Sequence, residues 1–493
     1  MANLQFFGMI INGQEVPAGD GKTFQSFDPA TMQAWAEFPE AGERDVMAAV
    51  QGAHQAQTTG PWADMTPTQR GKCLYRLADA LAEQAEEIGR LESRDTGKLL
   101  KETAWQATYI ADYLRYFGGA ADKIHGQTLP IDKPDMFVFT QREPLGVVAA
   151  IIPWNSQLFL SATKIGPALA AGNTIVLKAS EHAPAPLIAF ARLAKIAGIP
   201  DGVINVVTGY GDRCGRTLTS HPLVAKIAFT GGPVAARHVV CNSAQNFAAV
   251  SLELGGKSPF IVFNDADLDS AVNASVAGIF GASGQSCVAG SRLLVQDGIA
   301  DAFLAKLTKI AQNIRLGPPT DPDSEMGPLC TRAQIDHIEA QITKAVAQGG
   351  TILCGGKRAQ GLGGLYFQPT IIECPGPDLD IVDTELFGPV LAVQRFRDEA
   401  MALTRANQSC HGLAAGVFTR NQACALRMSR DLQAGIVWIN TYRAISPIAE
   451  FGGQKMSGYG REAGLQALYD YSRAKTVWMN MSDTPISNPF QPR

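Results

Sequence analysis

The sequence contains no closely paired cysteines, no long apolar run, no excess of basic residues and no internal repeat. Its nine cysteines are scattered without a C-x-x-C pair, which argues against a disulfide framework and against a zinc site, so no metal is expected. The longest apolar run, VVAAIIPW at 147–154, is far too short to cross a bilayer. The net charge of −4 gives no sign of a nucleic-acid surface, and the first residues show no signal-peptide pattern. We therefore expect a cytoplasmic protein without membrane or nucleic-acid partners.

The remaining composition is that of an ordinary globular chain, and its length of 493 residues allows two or three domains. Apolar residues at helical spacing predict helices at 74–91 and at about 101–118. From residue 146 onward, short apolar runs alternate with helical stretches, a pattern typical of parallel α/β sheets. The first group of predicted strands is 147–152, 174–179, 203–207, 225–231 and 250–256. The second group is 259–263, 291–296, 391–396, 414–419 and 435–440.

Parallel sheets of this kind bind ligands at the carboxyl ends of their strands, and three residues near such positions suggest chemistry. Cys287 lies in SGQSCVAGSR among small and polar residues, which would leave a thiol partly exposed and reactive, and a small buried cysteine is the open alternative. Glu253 lies within the apolar run VSLELGG, where burial would raise its pKa and suit a general base, and a strand-end glutamate pointing to solvent is the open alternative. Asn155 follows a buried strand and could donate its amide to an oxyanion, although Pro-Trp-Asn is also a good turn.

Two glycine-bearing turns, VTGYGDRCG at 207–215 and FTGGPVAA at 229–236, follow strands of the first group. Neither has the strict G-x-G-x-x-G spacing of dinucleotide-binding turns. Each could still bring a helix N-terminus close to a pyrophosphate, but ordinary strand–helix turns also use glycine freely.

The motifs PWN, KASE, FTGG, LELGGKSP, GQSCVAGSR, ELFGPV and FGGQKMSGYGRE follow one another along the chain. In this order they resemble the NAD(P)-dependent aldehyde dehydrogenase superfamily, and WINTYRAISP is similar to a bacterial subgroup of it. The resemblance implies an α/β fold with a Rossmann-like NAD-binding domain at 1–122 and 145–255. It further implies a second α/β catalytic domain at 256–456 and a small β bridging and oligomerisation region at 123–144 and 457–493.

The resemblance also implies a mechanism. Cys287 attacks the aldehyde carbonyl, while the Asn155 amide and the Cys287 backbone N–H hold the oxyanion. Hydride passes to the nicotinamide and leaves a thioester, and Glu253 activates water to hydrolyse it. Family members that transfer the acyl group to coenzyme A typically lack the carboxylate at position 253, so a free acid is the expected product.

For the cofactor, the resemblance implies that Lys178 and Glu181 bond the adenosine ribose, that Glu385 holds the nicotinamide ribose and that Phe387 flanks the ring. The remaining predicted cofactor residues are Trp154, Gly211, Gly215, Thr230, Gly231, Gly232 and Leu254. Glu181 would repel a 2′-phosphate, so NAD is favoured over NADP. The chain departs from the family pattern at Ala179, Gly232, Pro233, Ala236 and Glu450, and at Gly232 a hydroxyl donor to the pyrophosphate is missing.

By its matched motifs, the resemblance also implies a substrate tunnel around Trp105, Tyr109, Ser156, Leu160, Thr163, Gly281, Ser286, Val288, Arg443, Ile445 and Phe451. Several of these side chains are small where relatives carry aromatic ones, which indicates a wide tunnel. Arg443 could pair with an anionic group of the substrate, or it could make a structural salt bridge. Two substrate hypotheses therefore remain open: a small polar or anionic aldehyde, and a bulky aromatic or terpenoid aldehyde.

Two other functions are compatible with parts of the pattern. A cysteine esterase or acyltransferase would use Cys287 and Glu253 without redox chemistry, but it would not need Lys178, Glu181 and Glu385. A structural protein built on the same fold would be expected to lose Cys287 or Glu253, and both are present. The β-prone segments at 123–144 and 474–481 present exposed edges, which predict a homodimer or homotetramer.

Overall fold

The structure is a computed structural model that describes residues 4–376 and 378–491. Its strands are β1 (Gln5–Phe6), β2 (Met9–Ile11), β3 (Gln14–Val16), β4 (Thr23–Asp28), β5 (Gln33–Pro39), β6 (Met136–Pro144), β7 (Val147–Ile151), β8 (Thr174–Lys178), β9 (Ile204–Val207), β10 (Val224–Thr230), β11 (Ala249–Glu253), β12 (Pro259–Val262), β13 (Arg292–Gln296), β14 (Thr351–Cys354), β15 (Thr370–Glu373), β16 (Val390–Phe396), β17 (His411–Gly412), β18 (Ala414–Phe418), β19 (Ile436–Ile439), β20 (Gln454–Lys455), β21 (Gly458–Tyr459) and β22 (Ser472–Asn480).

The α-helices are α1 (Glu43–Thr58), α2 (Pro67–Glu83), α3 (Ala85–Thr96), α4 (Leu100–Ala120), α5 (Gln157–Ala170), α6 (Ala185–Ile196), α7 (Arg216–Ser220), α8 (Pro233–Ser243), α9 (Leu268–Phe280), α10 (Asp297–Asn313), α11 (Arg332–Ala347), α12 (Asp380–Asp383), α13 (Glu399–Asn407), α14 (Gln422–Asp431) and α15 (Gly464–Asp470). No helix in residues 4–376 and 378–491 is long and apolar enough to span a membrane.

The first large sheet has eight strands in the order β21-β11-β10-β7-β8-β9-β2-β3, and the five strands from β11 to β9 are parallel. β7, β8 and β9 are apolar and almost fully buried because helices cover both faces of the sheet. One face packs on α1, α7 and α8, and the other packs on α2 and α4 to α6. The sheet is therefore doubly wound.

The second large sheet has seven strands in the order β14-β15-β16-β13-β12-β18-β19, parallel except for the pair β14–β15. The helices α9 and α10 cover one part of it, and α13 and α14 cover another. The predicted α/β fold is thus confirmed, and every predicted strand is found within three residues of its expected bounds.

A two-stranded antiparallel ribbon of β6 and β22 stands apart from both sheets and pairs residues 136–144 with residues 472–480. Several of its apolar side chains, including Phe137, Trp478 and Met479, are exposed. The predicted bridging region also contributes β21 to the first sheet, where Gly458 pairs with Glu253.

The prediction of one helix at 74–91 is wrong. α2 ends at Glu83 and α3 begins at Ala85, because Gln84 takes φ −108° and ψ 14° and turns the chain between them. The predicted helix at about 101–118 is present as α4.

Candidate active site

A cavity of about 1090 Å³ lies between the two large sheets. Its walls include every predicted catalytic and cofactor-binding residue: Asn155, Glu253, Cys287, Trp154, Lys178, Glu181, Gly211, Gly215, Thr230, Gly231, Gly232, Leu254, Glu385 and Phe387. The strands β7, β8, β10 and β11 of the first sheet end at this cavity. The strands β13 and β16 of the second sheet begin a few residues after Cys287 and Phe387, which line it. Two sheets thus supply the walls from opposite sides.

The loop that carries Cys287 packs tightly against its neighbours. Gly284 adopts φ +73°, and a Cβ at this position would overlap the carbonyl group of Gly388. On the other side of the thiol, the phenol of Tyr442 donates to the carbonyl oxygen of Val288 at 3.0 Å. The backbone on both sides of Cys287 is therefore held in place.

The protein surroundings favour the protonated form of the Cys287 thiol. Burial raises its pKa to about 12, and the nearby carboxylates of Glu253 and Glu385 contribute to the rise. The side chain is half-exposed, in keeping with the partial exposure expected from its small neighbours, and the raised pKa favours the protonated thiol. An additional positive charge or a proton acceptor is needed to generate the thiolate.

Asn155 is tied to the same loop. Its Nδ2 donates to the carbonyl oxygen of Gln285 at 3.0 Å, and its side chain is buried. A carboxamide nitrogen carries two protons, so this bond leaves one for another acceptor. The amide is thus oriented close to the thiol with a donor to spare.

Glu253 ends β11 with both carboxylate oxygens buried and without hydrogen-bond partners in the described chain. Burial raises the pKa of this carboxyl well above its usual value, and Glu462 adds to the rise, whereas Lys164 and Arg461 oppose it. A carboxyl group in such a position can accept a proton near neutral pH.

Glu385 and Phe387 stand on the loop that precedes β16. The Oε1 of Glu385 accepts from the backbone N–H of Gly256 at 2.9 Å, and a Cβ at Gly255 would collide with the other carboxylate oxygen. Burial raises the pKa of Glu385 to about 7. Phe387 meets the indole of Trp154 edge to face at 5.4 Å between ring centroids. These contacts fix a carboxyl and an aromatic wall next to the thiol.

The far end of the cavity carries the pair Lys178 and Glu181, whose Nζ and Oε2 lie 3.2 Å apart. Although burial raises the pKa of Glu181, the ammonium of Lys178 and the neighbouring His182 lower it overall. This end of the cavity therefore presents an anion beside a cation.

Between the two ends, the turn Thr230–Gly232 leads into α8. Pro233 is the first residue of this helix and offers no N–H, and Gly232 offers no hydroxyl. The Thr230 hydroxyl accepts from the buried ammonium of Lys164 at 2.7 Å. The anion-binding capacity of the turn thus depends on backbone N–H groups and the helix N-terminus.

Ten of the eleven residues expected around the substrate tunnel do not line this cavity, although the structure describes all of them. Trp105 is 62% exposed and stacks on Tyr109, whose hydroxyl donates to the carbonyl oxygen of Ile445 at 2.7 Å. These two aromatic rings connect α4 with the loop that precedes Phe451. Leu160, another expected tunnel residue, does reach the cavity.

The polar residues expected in the tunnel already have partners within the chain. Arg443 donates to the carbonyl oxygens of Ala277 and Gly281 at the end of α9, a structural contact that is not a salt bridge. Thr163 is buried and donates to Glu462, so it contacts a charged pair and not open space.

Three further tunnel residues lie close to the predicted catalytic residues along the chain. Ser156 directly follows Asn155, Ser286 directly precedes Cys287, and both serines are half-buried. Val288 is buried against Trp438 and Leu413. Phe451 is half-buried and pairs with Glu462 through its backbone.

Sequence reasoning missed several residues of the site. Lys164 in α5 is fully buried and forms an ion pair with Glu462, 298 residues away. A single lysine inside the apolar stretch LFLSATKIGPALA was the available signal, because a buried lysine requires a partner. Arg216 and His238 also line the cavity near its Lys178 end, and no motif indicated them.

The cavity holds the Cys287 thiol, the Asn155 amide and the Glu253 carboxyl, which has no hydrogen-bond partner among the described residues. It also holds the pair Lys178 and Glu181. This arrangement is that of an enzyme for covalent catalysis with a nucleotide-sized second ligand. Comparison with known proteins agrees: residues 16–477 match the model of the aldehyde dehydrogenase family. The chain belongs to the aldehyde dehydrogenase family, and the predicted class, an oxidoreductase acting on aldehydes, is confirmed.

The relatives extend over the whole chain. A dehydrogenase of Acinetobacter baylyi named for (Z)-2-((N-methylformamido)methylene)-5-hydroxybutyrolactone is 54% identical over 489 residues, 99% of both chains. An aldehyde dehydrogenase of Bacillus cereus, solved as its NAD+ complex, is 41% identical with a TM-score of 0.95 and 97% of each chain covered. The enzyme PnpE, solved with nicotinamide adenine dinucleotide, is 41% identical with a TM-score of 0.96, covering 98% of this chain and 99% of its own.

Proposed function

We propose that the protein oxidises an aldehyde to the carboxylic acid with NAD, through a thiohemiacetal and a thioester on Cys287. The observation that carries this proposal is the cavity itself, which joins Cys287, Asn155 and Glu253 to Lys178 and Glu181 in one continuous space. A cysteine esterase, the alternative, would need only the first three of these residues and leaves the other end of the cavity without a role.

The cavity fits a dinucleotide. A Cβ at Gly211 or Gly232 would meet no atom of the described chain within 4 Å, so both glycines border open space. Lys178 and Glu181 suit the hydroxyls of a ribose, the start of α8 suits a pyrophosphate, and Glu385 suits the second ribose. When bound, NAD supplies the hydride acceptor.

The residues around the thiol divide the remaining chemistry among them. The Cys287 sulfur attacks the aldehyde carbon, and the free proton of the Asn155 amide with the Cys287 backbone N–H stabilises the oxyanion. Glu253 accepts a proton from water, which then hydrolyses the thioester to the acid. Its raised pKa suits this task because the carboxylate binds a proton more readily than a solvated glutamate does.

The charge of Glu181 supports NAD over NADP, because an ionised carboxylate repels a 2′-phosphate. Both solved relatives described above are complexes with NAD. Glu181→Gln tests the point: the ratio of kcat/KM for NADP to that for NAD should rise by about tenfold, the equivalent of about 1.4 kcal/mol. An unchanged ratio would mean that residues other than Glu181 determine the preference for NAD over NADP.

Of the two substrate hypotheses, the Acinetobacter relative supports the small polar or anionic aldehyde. A 5-hydroxybutyrolactone is the ring-closed form of an aldehyde that carries a carboxyl group. Arg443 is a candidate partner for such a carboxyl group, because it uses only one guanidinium nitrogen for its two carbonyl contacts. Loss of the preference for anionic aldehydes in Arg443→Ala would support this role, and a retained preference would exclude it.

The ribbon of β6 and β22 supports a homodimer or homotetramer, because its exposed apolar side chains and open strand edges suit pairing with a second copy. Nine free cysteines support a reducing, cytoplasmic location.

The first test is NADH formation by the wild type and by Cys287→Ala with short aliphatic, ω-carboxylated, aromatic and terpenoid aldehydes. Turnover that disappears in the variant supports the proposal. NAD-independent ester hydrolysis as the only activity would support the esterase alternative.

A further inference from the structure

A second, much smaller cavity of about 10 Å³ lies where β12 begins. Its wall includes Lys257 and Ser258, which are buried, and His411, which is half-buried. The exposed Gln433 also lines it, so the cavity can be reached from the surface. It is separate from the cavity that holds Cys287, because the two share no wall residue.

Three polar atoms of this wall have no partner within the described chain. The Nζ of Lys257, the Oγ of Ser258 and the Nδ1 of His411 are buried and form no hydrogen bond with residues 4–376 or 378–491. Buried polar groups are almost always paired, and three unpaired groups that line the same small space point to one shared ligand. An ammonium can only donate, so a ligand that satisfies Lys257 must accept hydrogen bonds.

The charges around the cavity favour an anion over a neutral acceptor. Among the described wall residues, Lys257 is the only lysine or arginine, and none is a carboxylate. Arg292 is buried nearby, where its two terminal nitrogens donate to the carbonyl oxygens of Arg405 and Ala406 at 2.8 Å each, and Ala406 lines the cavity. Two buried cations thus lie close together, and a buried cation without an anion in contact is costly.

The pKa of Lys257 reflects this cost. Burial lowers it to about 8, and the positive charge of Arg292 adds to the fall. The carboxyl groups of Glu385 and Asp383 oppose the fall, but neither lines the cavity. Burial also lowers the pKa of His411, so the imidazole adds no full positive charge at neutral pH. An anion next to the ammonium would supply the negative charge that the wall lacks.

The size of the cavity limits the kind of anion. A space of this volume holds about one particle of the size of a water molecule. Sulfate, phosphate and organic carboxylates are larger, whereas a single halide ion fits. We propose that this cavity binds one chloride ion, held by the Lys257 ammonium and the Ser258 hydroxyl, with the Nδ1–H tautomer of His411 as a third donor.

The site lies next to a segment that contacts the candidate cofactor residue Glu385. The backbone N–H of Gly256 donates to the Glu385 carboxylate at 2.9 Å, and Lys257 and Ser258 follow directly along the chain. A chloride ion would tie this segment to His411 of β17. Its role is to stabilise the folded protein, and it is independent of the proposed oxidation of an aldehyde.

Bromide tests the site directly, because it replaces chloride and gives an anomalous X-ray signal. Crystals of the wild type soaked in sodium bromide should show an anomalous peak next to the Nζ of Lys257. Crystals of Lys257→Met should show no peak there. Density without an anomalous signal in the wild type would mean that the cavity holds water, and it would overturn the proposal.

Thermal unfolding at about pH 6.5, below the pKa of Lys257, measures the same binding in solution. A ligand that binds only the folded protein raises its Tm with concentration. As sodium chloride replaces sodium gluconate at constant ionic strength, the Tm of the wild type should rise relative to that of Lys257→Met and then level off. Ser258→Ala should need about tenfold more chloride for the same rise, because it loses one hydrogen bond to the ion.

Lys309→Met, at an exposed position of α10, is the control for the loss of a lysine charge and should follow the wild type. A Tm difference between the wild type and Lys257→Met that stays constant at all chloride concentrations would overturn the proposal. If Lys257→Met does not fold, the bromide map of the wild type and the chloride dependence of Ser258→Ala still decide it.

Discussion

The amide nitrogen of Asn155 lies 3.0 Å from the carbonyl oxygen of Gln285, two residues before Cys287. The bond joins the end of the first sheet to the loop that enters the second, across 130 residues of sequence. It places an amide donor and a thiol in one rigid arrangement. The proposed oxyanion donor therefore keeps its position relative to the proposed nucleophile before any substrate enters.

Asn155→Ala should lower kcat by about 100- to 1000-fold, because removal of a preorganised oxyanion donor costs about 2.7–4 kcal/mol in the transition state. The measurement is steady-state NADH formation with the best aldehyde. Asn313→Ala, a change at the exposed end of α10, is the control and should retain full activity. A loss in Asn155→Ala confined to KM would argue against a transition-state role.

The Cys287 thiol should react slowly with iodoacetamide in the absence of cofactor. Because burial and two carboxylates raise its pKa to about 12, its alkylation rate should increase with pH without a plateau near neutrality. Added NAD carries a positive nicotinamide and should accelerate the reaction. Peptide mass spectrometry distinguishes Cys287 from the exposed Cys241 and Cys410. A plateau near pH 7 in the free enzyme would contradict the assigned pKa.

Glu253→Gln should make the protein more stable at alkaline pH. The pKa of Glu253 is raised in the folded state, so its contribution to stability is complete below the unfolded pKa and is lost as the pH rises through the folded value. Each unit by which folding raises the pKa corresponds to about 1.4 kcal/mol of unfolding free energy that is lost at alkaline pH. The glutamine side chain of the variant cannot ionise, so the variant does not lose this stability as the pH rises.

Thermal unfolding of wild type and Glu253→Gln from about pH 5 to pH 9 measures the effect. The difference in Tm should be small at the acid end and should grow in favour of the variant toward the alkaline end. Glu87→Gln, at an exposed position of α3, is the control for loss of a surface charge. Parallel pH profiles for wild type and Glu253→Gln would show that the carboxyl is ionised in the folded protein at all these pH values.

Gly284→Ala should abolish activity and destabilise the protein. A Cβ at this position would collide with the backbone of Gly388, in addition to the strain of a positive φ, which costs about 1–3 kcal/mol. Gly363→Ala is a matched control, since Gly363 also has a positive φ, +65°, but has no described atom within 4 Å of a new Cβ. Equal losses of Tm in the two variants would mean that the collision contributes nothing.

Much of the fold could be predicted because the apolar strands of a parallel sheet differ clearly from the amphipathic helices between them. The sheet of β1, β5 and β4 was not predicted, since strands as short as Gln5–Phe6 leave little pattern. The break at Gln84 was also missed, because the apolar spacing continues through it and only its backbone angles turn the chain.

Part of the candidate site could be predicted from strand positions, because Asn155, Lys178 and Glu253 end or follow strands whose carboxyl ends meet at one edge of the first sheet. Cys287 and Glu385 precede strands, and only the resemblance of their motifs placed them at the same site. The tunnel residues remain a prediction, because Tyr109, Arg443 and Thr163 take their partners from distant segments that no local sequence pattern indicates. The pairing of Lys164 with Glu462 shows the same limit, as does the raised pKa of Cys287, which depends first on burial and then on the carboxylates of Glu253 and Glu385.

The close approach of Gly284 to Gly388 has a consequence for how the enzyme can change over time. The loop with the nucleophile and the loop with Glu385 touch backbone to backbone, so neither can lengthen or shift without the other. A change of length in one loop therefore has to be matched by the other if the Cys287 thiol and the Glu385 carboxylate are to keep their relative positions.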